Sequence, residues 1–521
     1  MHNRKRIAKF VIDLLKSNLI QISSPMKRIF ILFAIALMGI VVCSAQNIPS
    51  VHNDDVEQSR KYLRGNDYQR DLLLYVDMLS KTHPYYADAK HRAELNRRLH
   101  TMYKECGDIT DLAIFRAYLE QIASSLNDGH TMVSYWNKTD RLFPVRLSFS
   151  DDTIAIIEVA PEYQSTLLGK EVTGINGKSL AEILRLAAPL ISADNEVNFR
   201  NIAKEYMMIS EFWPLLGMSD DTLELTLTDG TITKVAAVSK SQLKIVQLQK
   251  NAANRITAQR GVLFDYNIFE DESICYLQFN QFADRVTHPQ YPQLARFDEF
   301  VCEMMREMRE KEVKTLVIDL QYNGGGNSTL GDVLLSWLHP YRDIRQGSGE
   351  LRMSELLCEH YPHYRECMLE GKPLEMGKIY QLRDFDRNGE NNEADYTAEQ
   401  DSTKHILNFN DEHIFRGNVI FVEGKDSFSS ATLLLTTARD NGIGIIVGEI
   451  SGGRPSHYGD ILYCMLPNTQ TIATVSHKFF VRPNQELKDL EYIYPDYVVE
   501  LNDPNRDLLW EWIVENYRAK K

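Results

Sequence analysis

Apolar positions recur every three or four residues from Tyr68 to Lys81 and again from Leu112 to Leu126, the spacing of a single buried helical face. His83-Pro84 interrupts the first of these stripes. Residues 55–135 therefore read as a helical segment whose stripes pack a core. Between 140 and 250 the period changes. LFPVRLSF, TIAIIEV, KEVTGING and TLELTLTDGTIT are short strand-like runs that end in Asp or Gly turns, and SLAEILRLAAPL between them is helical. From Ile274 onward strands and helices alternate: ICYLQF, FDEFVCEMMREMREKE, TLVIDL, NVIFVEG, SSATLLLTTARDN and IGIIVGE. That alternation predicts an α/β core with a largely parallel sheet over 255–521. Residues 340–412 interrupt the core with polar, acidic sequence, the reading of which is a surface subdomain or functional loop.

The amino terminus stands apart from this pattern. Lys27 and Arg28 precede an apolar run from Ile29 to Val42, and Cys43-Ser44-Ala45 ends it with small residues before Gln46. A basic start, a short apolar stretch and a small-residue cleavage site describe a secretory signal over 26–45, within a leader of residues 1–45. The run is shorter than the roughly 20 residues that span a bilayer, so no stable membrane span is expected once the signal is cleaved. The alternative is an uncleaved anchor. Export to the periplasm or the cell exterior follows as an expectation.

Composition then refines the picture. The chain has 521 residues and a net charge of −14; removing 45 residues that carry seven Lys or Arg and one Asp leaves 476 residues at −20. That balance argues against nucleic acid as a partner. Six cysteines remain, too few for a disulfide scaffold; Cys358 and Cys367 are the best pair, and no spacing resembles a zinc site. Within the acidic insertion, Asp384, Asp386, Asn388 and Asp395 occupy positions 1, 3, 5 and 12 around Gly389, as in a calcium loop. The plainer reading is an acidic solvated loop, and neither a metal nor any other cofactor is expected.

Three segments carry chemistry. Leu126-Asn127-Asp128-Gly129-His130-Thr131 ends a helix in a polar turn, where an imidazole can face a cleft and act as a base. LVIDLQYNGGG ends a buried strand in Asn323-Gly324-Gly325-Gly326, whose amides can approach a ligand closely. In NVIFVEGKDSFSSAT a strand runs through small hydroxyl residues into a helix, where a serine meets the helix N-terminus. Each has a bland alternative: a structural histidine, a tight turn and an N-cap serine.

Together these segments resemble the serine peptidase family of tail-specific (C-terminal processing) proteases and the tricorn core protease. The likeness runs from about His83 to Asp496, with DGHT, LVIDLQYNGGG, SFSSAT, VGEISGGRPSHYGD, LPNT and a late YPD in family order. The resemblance implies a crotonase/Clp-like spiral of β-β-α units and a PDZ-like module over 140–250. It implies Ser429 as nucleophile, with the Ser430 amide and that of Gly324 or Gly325 forming an oxyanion hole. Tail-specific members use a lysine about 25 residues after the serine, but here Arg454 stands there, and arginine does not deprotonate. The tricorn-like branch instead uses a histidine from the first segment, which matches His130, with His457 as a second choice of base. That branch has a serine before the histidine; this chain has Gly129. The supporting acid precedes the late Pro-Asp, where Glu486, Asp489 and Glu491 lie, and Asp489 is the choice.

The expected function is thus an exported serine endopeptidase acting on peptides or proteins through an acyl-enzyme. The rival is a binding protein for peptide or lipophilic ligands on the same fold that has lost catalysis, a reading kept open by Arg454 and Gly129. An acyl-CoA enzyme of the crotonase type is a third reading, against which export counts.

Overall fold

The unbroken apolar runs of the C-terminal half become adjacent strands. In the computed structural model, which describes residues 65–133, 141–149, 154–247, 262–382, 411–501 and 506–518, Ile274–Phe279, Thr315–Asp319, Asn418–Glu423 and Ile445–Gly448 lie parallel. Tyr497–Val498 continues the sheet in parallel at one edge, and Phe264–Phe269 closes the other edge antiparallel. Every residue of Ile274–Phe279 and Thr315–Asp319 is buried, as expected of strands covered on both faces.

Alternate residues serve the two faces. Cys275, Leu277, Phe279, Leu316, Ile318 and Phe421 pack against the helices Phe297–Glu310, Thr329–Ser336 and Ser430–Asn441. Ile274, Tyr276, Val317, Ile420 and Val422 meet Leu509, Trp510 and Ile513 of the last helix, Leu508–Tyr517. The chain is therefore mixed α/β around a mainly parallel sheet.

The amino-terminal helices are Asp67–Thr82, Ala89–Gly107 and Leu112–Ala123. Asn66 caps the first through a reciprocal bond with Gln69, and His83 ends it. Residues 145–247 form a six-stranded antiparallel sheet, with Leu180–Ala187 and Glu196–Tyr206 as helices beside it. Its core gathers Ile156, Ile175, Trp213, Leu223 and Leu225.

A second sheet joins distant parts of the chain. In the hairpin His457–Met465 and Ile472–Val481, the second strand pairs along its free edge with Met132–Val133 near its start and with Ser348–Arg352 near its end, and Ser348–Arg352 in turn pairs with Ile379–Gln381. Two of these strands come from the expected surface insertion. Its described part is built into the fold instead, because Leu351, Met353, Leu357 and Tyr380 bury themselves against Leu462. Cys358 and Cys367, the best pair by sequence, are separate buried thiols. The leader and the 384–395 loop lie outside the described residues, and no described helix is long and apolar enough to cross a membrane.

Candidate active site

The strand Asn418–Glu423 delivers the hydroxyl segment to the C-terminal edge of the sheet. Gly424 and Ser427 close a tight turn there: the Ser427 hydroxyl donates to the Leu320 carbonyl at 2.7 Å and accepts from the Gly424 amide at 3.0 Å. The Ser430 hydroxyl donates to the Gly326 carbonyl at 2.7 Å, tying this turn to the glycine loop. Both serines are thus engaged in structure. Ser429, between them, differs. Its backbone sits at φ 54° and ψ −120° just before the helix, and its side chain does not cap that helix. A non-glycine residue in such a conformation costs on the order of 1–3 kcal/mol and persists only where its surroundings impose it.

The Ser429 hydroxyl lies 3.0 Å from Nε2 of His130. His130 reaches it from the far end of the chain because the second sheet holds its loop. The Thr474 hydroxyl donates to the His130 carbonyl at 2.6 Å, and the Ser476 amide donates to the Thr131 hydroxyl at 3.0 Å. The Phe428 ring stacks on the imidazole at 4.6 Å between centroids.

The carboxylate behind His130 is Asp128, fully buried, with Oδ1 3.4 Å from Nδ1 of His130 and accepting its backbone N–H at 2.9 Å. Its Oδ2 accepts from the Ser476 hydroxyl at 2.7 Å and lies 3.1 Å from Nε2 of His83. Burial alone would raise this carboxyl, but the hydrogen bonds from His130 and His83 hold it well below the usual carboxylate range. Burial likewise disfavours the His130 imidazolium; the close approach of Asp128 and the charges of Asp194, Asp128 and Asp460 outweigh it and raise the pKa.

Asp489, the acid expected from its place before Pro495-Asp496, is exposed and makes no ion pair or hydrogen bond with His130. Glu486 is exposed as well, and Glu491 binds the Arg454 guanidinium at 2.7 Å. His457 stacks parallel to His130 at 5.6 Å, but its Nδ1 is held 2.9 Å from the Arg454 carbonyl, and burial first, then the charge of His130, push its pKa down to about 3.

Gly129 has no room for a side chain: a Cβ there would sit 2.8 Å from Oδ1 of Asn198 and 2.9 Å from the Phe428 ring. Its amide donates to Asp194 at 2.7 Å, and the Arg454 amide faces the same carboxylate at 3.4 Å. Asp194 is buried, and burial pushes its pKa up to about 6. No local motif marks Asp194, so only the tertiary contact reveals it. Asp128, His130 and Asp194 bring potential metal-ligand atoms within 4.8 Å of one another, yet the carboxylate oxygens already accept the hydrogen bonds just described.

The glycine loop lies against the serine. The Asn323 side chain donates to the Phe279 carbonyl at 2.8 Å and accepts the Gly325 amide at 2.8 Å. Of the two glycine amides expected to face an oxyanion, that of Gly325 is therefore occupied. The amides of Gly324 and Ser430 have no partner among the described residues, and a Cβ on Gly324 would meet nothing within 4 Å. The arrangement offers a hydroxyl, an imidazole backed by a carboxylate, and two open donors.

Residues 273–499 match the family model described as Peptidase family S41. No curated protein matches the sequence. The fold is similar to that of mature CPAF complexed with lactacystin, with a TM-score of 0.58 and 14% identity over 86% of this chain and 97% of that one. A second structure of mature CPAF gives 0.58 and 14% over 86% and 95%. A putative peptidase from Parabacteroides merdae aligns over 87% of this chain and 98% of its own at 14% identity, with a TM-score of 0.42.

Proposed function

We propose that this chain, whose residues 273–499 match the family model described as Peptidase family S41, is an exported serine endopeptidase whose nucleophile is Ser429 and whose base is His130. The contact of 3.0 Å between the Ser429 hydroxyl and Nε2 of His130 carries this reading. The unusual backbone of Ser429, and its freedom from any capping bond, support it further. We replace Asp489 by Asp128 as the acid that orients His130, on the strength of the 3.4 Å approach to Nδ1. A histidine base with Arg454 in the lysine's place supports kinship with the tricorn-like branch. Export rests on the Met26–Ala45 leader.

In the mechanism, His130 takes the proton of Ser429 through Nε2 as the oxygen attacks the scissile carbonyl. Asp128 stays ionised, orients the Nδ1–H toward itself and balances the imidazolium. The amides of Gly324 and Ser430 receive the oxyanion; one such donor contributes about 10²–10³ in rate and a general base about 10²–10⁴. Collapse releases the amine with the proton from His130, and water, activated by the same imidazole, frees the acyl group. Arg454 takes no part as a base.

The test is a fluorophosphonate probe with the adduct mapped. Labelling at Ser429 that disappears in His130→Ala is expected, with loss of peptide cleavage in Ser429→Ala. A Ser429→Ala protein that cleaves at the wild-type rate would overturn the assignment, and a folded wild type that takes no probe would favour the binding protein.

A further inference from the structure

Asp128 carries only part of its own placement. Its Oδ1 serves His130, while the far oxygen is held from a helix end 45 residues earlier. There, His83 is buried completely and its Nδ1 accepts the Tyr85 amide at 3.1 Å. A nitrogen that accepts an N–H carries no proton, so the imidazole proton is on Nε2, which donates to Oδ2 of Asp128 at 3.1 Å. The ring itself is fixed on both sides: the Tyr458 ring packs on it at 4.5 Å between centroids, and the Arg352 guanidinium donates to the His83 carbonyl at 2.7 Å.

We infer that His83 is a positioning residue for the peptidase, a one-tautomer donor that holds Asp128 charged and aimed at Nδ1 of His130. This rests on the assignment of Ser429 and His130 above. The Ser476 hydroxyl shares Oδ2 but can rotate to donate elsewhere, whereas the His83 N–H has one direction. Without it, the full charge of Asp128 turns toward His130 and the carboxylate loses the bond that sets its plane. The other groups facing His130, namely Asp194, Asp460 and the stacked His457, stay as they are.

Two variants and two readouts test this. His83→Gln keeps a donor that can reach Asp128; His83→Leu keeps the bulk and removes the donor. Fluorophosphonate labelling of Ser429 is followed from pH 5 to 9, with melting temperatures to show that each variant folds. The leucine variant is expected to lose on the order of 10–100-fold in rate, the range for second partners of a fixed histidine, and its acid limb is expected to move to higher pH. The glutamine variant is expected to recover most of the rate and the wild-type limb. A folded leucine variant with the wild-type rate and limb overturns the inference.

The second readout needs no activity. In ¹⁵N-histidine NMR of the wild type at pH 8, His83 is expected as the Nε2–H tautomer, and the His130 resonances are expected to change in His83→Leu. An Nδ1–H tautomer, or unchanged His130 resonances, overturns the inference. Should the wild type take no probe at Ser429, the peptidase reading fails alone, and these spectra still decide the part of His83.

Discussion

Gly325 and Ser429 approach so closely that a Cβ on the glycine would stand 2.7 Å from that of the serine and 3.0 Å from the Ser430 amide. With φ +99°, Gly325 also holds a backbone that side chains rarely adopt. Gly325→Ala is therefore expected to displace the nucleophile and its neighbouring donor together, lowering kcat by about 10²–10³, the size of losing one oxyanion donor. Gly324→Ala, which meets open space, is expected to keep its amide in place and most of the activity. Parallel rates of labelling and cleavage for the two alanine variants check this; equal losses would count against the different roles given to the two glycines.

The acid makes a second prediction. Asp128→Asn presents His130 with a group that can donate as well as accept, and so favours the wrong tautomer. A fall of about 10⁴ in kcat is expected, as for other triad histidines deprived of their carboxylate. Asp489→Asn is expected to leave kcat/KM unchanged, because Asp489 is exposed and unlinked to the imidazole. Steady-state kinetics of the pair discriminates: the reverse pattern would restore Asp489.

Asn323 supports the oxyanion loop from below. Asn323→Ala leaves the Phe279 carbonyl and the Gly325 amide without their partner in a buried site. About 1–3 kcal/mol of stability is lost for each unsatisfied group. Urea unfolding is expected to show that loss, and cleavage is expected to fall more than stability explains, because Gly325 packs on Ser429. A variant as stable and as active as the wild type would remove Asn323 from the site's support.

Two buried glutamates predict a pH dependence of stability. Burial pushes Glu120 and Glu423 up to about 8. Between the ordinary glutamate range and pH 8 the folded protein holds protons that the unfolded chain has released. Their contribution to stability is whole below the unfolded pKa and is lost as pH rises through the folded one, with a slope of about 1.4 kcal/mol per pH unit for each group. One Glu423 oxygen accepts the Ser451 amide at 3.0 Å and the other has no hydrogen-bond partner among the described residues. Glu423→Gln is therefore expected to flatten the fall in urea midpoint between pH 5 and 8. Curves that stay parallel to the wild type would show that Glu423 is ionised when folded.

Much of the site can be read from local pattern, and the exceptions have a common cause. Strand, glycine turn and strand-to-helix serine are each contiguous, so TLVIDLQYNGGG and NVIFVEGKDSFSSAT announce themselves. Asp128 looks like a turn residue because it lies two positions from His130; what turns it into a buried acceptor is Ser476, 348 residues away. His83 reads as a helix stop for the same reason, since its imidazole finds Asp128 only in the folded chain. Motif order alone points to Asp489, and motif order says nothing of exposure. The neighbouring Asp496 turns out to accept the Ile446 amide at 2.8 Å and to pair with Arg439, a structural post for the sheet edge. The polar stretch after residue 340 hides its strands, because Ser348–Arg352 carries one large apolar side chain, Leu351, and Ile379–Gln381 is only three residues long.

The turn that carries His130 leads into Met132–Val133, which pairs with Ala473 and Thr474, so His130 and Ser429, 299 residues apart, are held together only once residues 473–474 are in place. A ribosome-bound chain, or a fragment cut short before residue 472, holds the histidine loop with no sheet to seat it. On the proposed assignment of Ser429 and His130, cleavage is expected only after the hairpin that seats the histidine turn is complete.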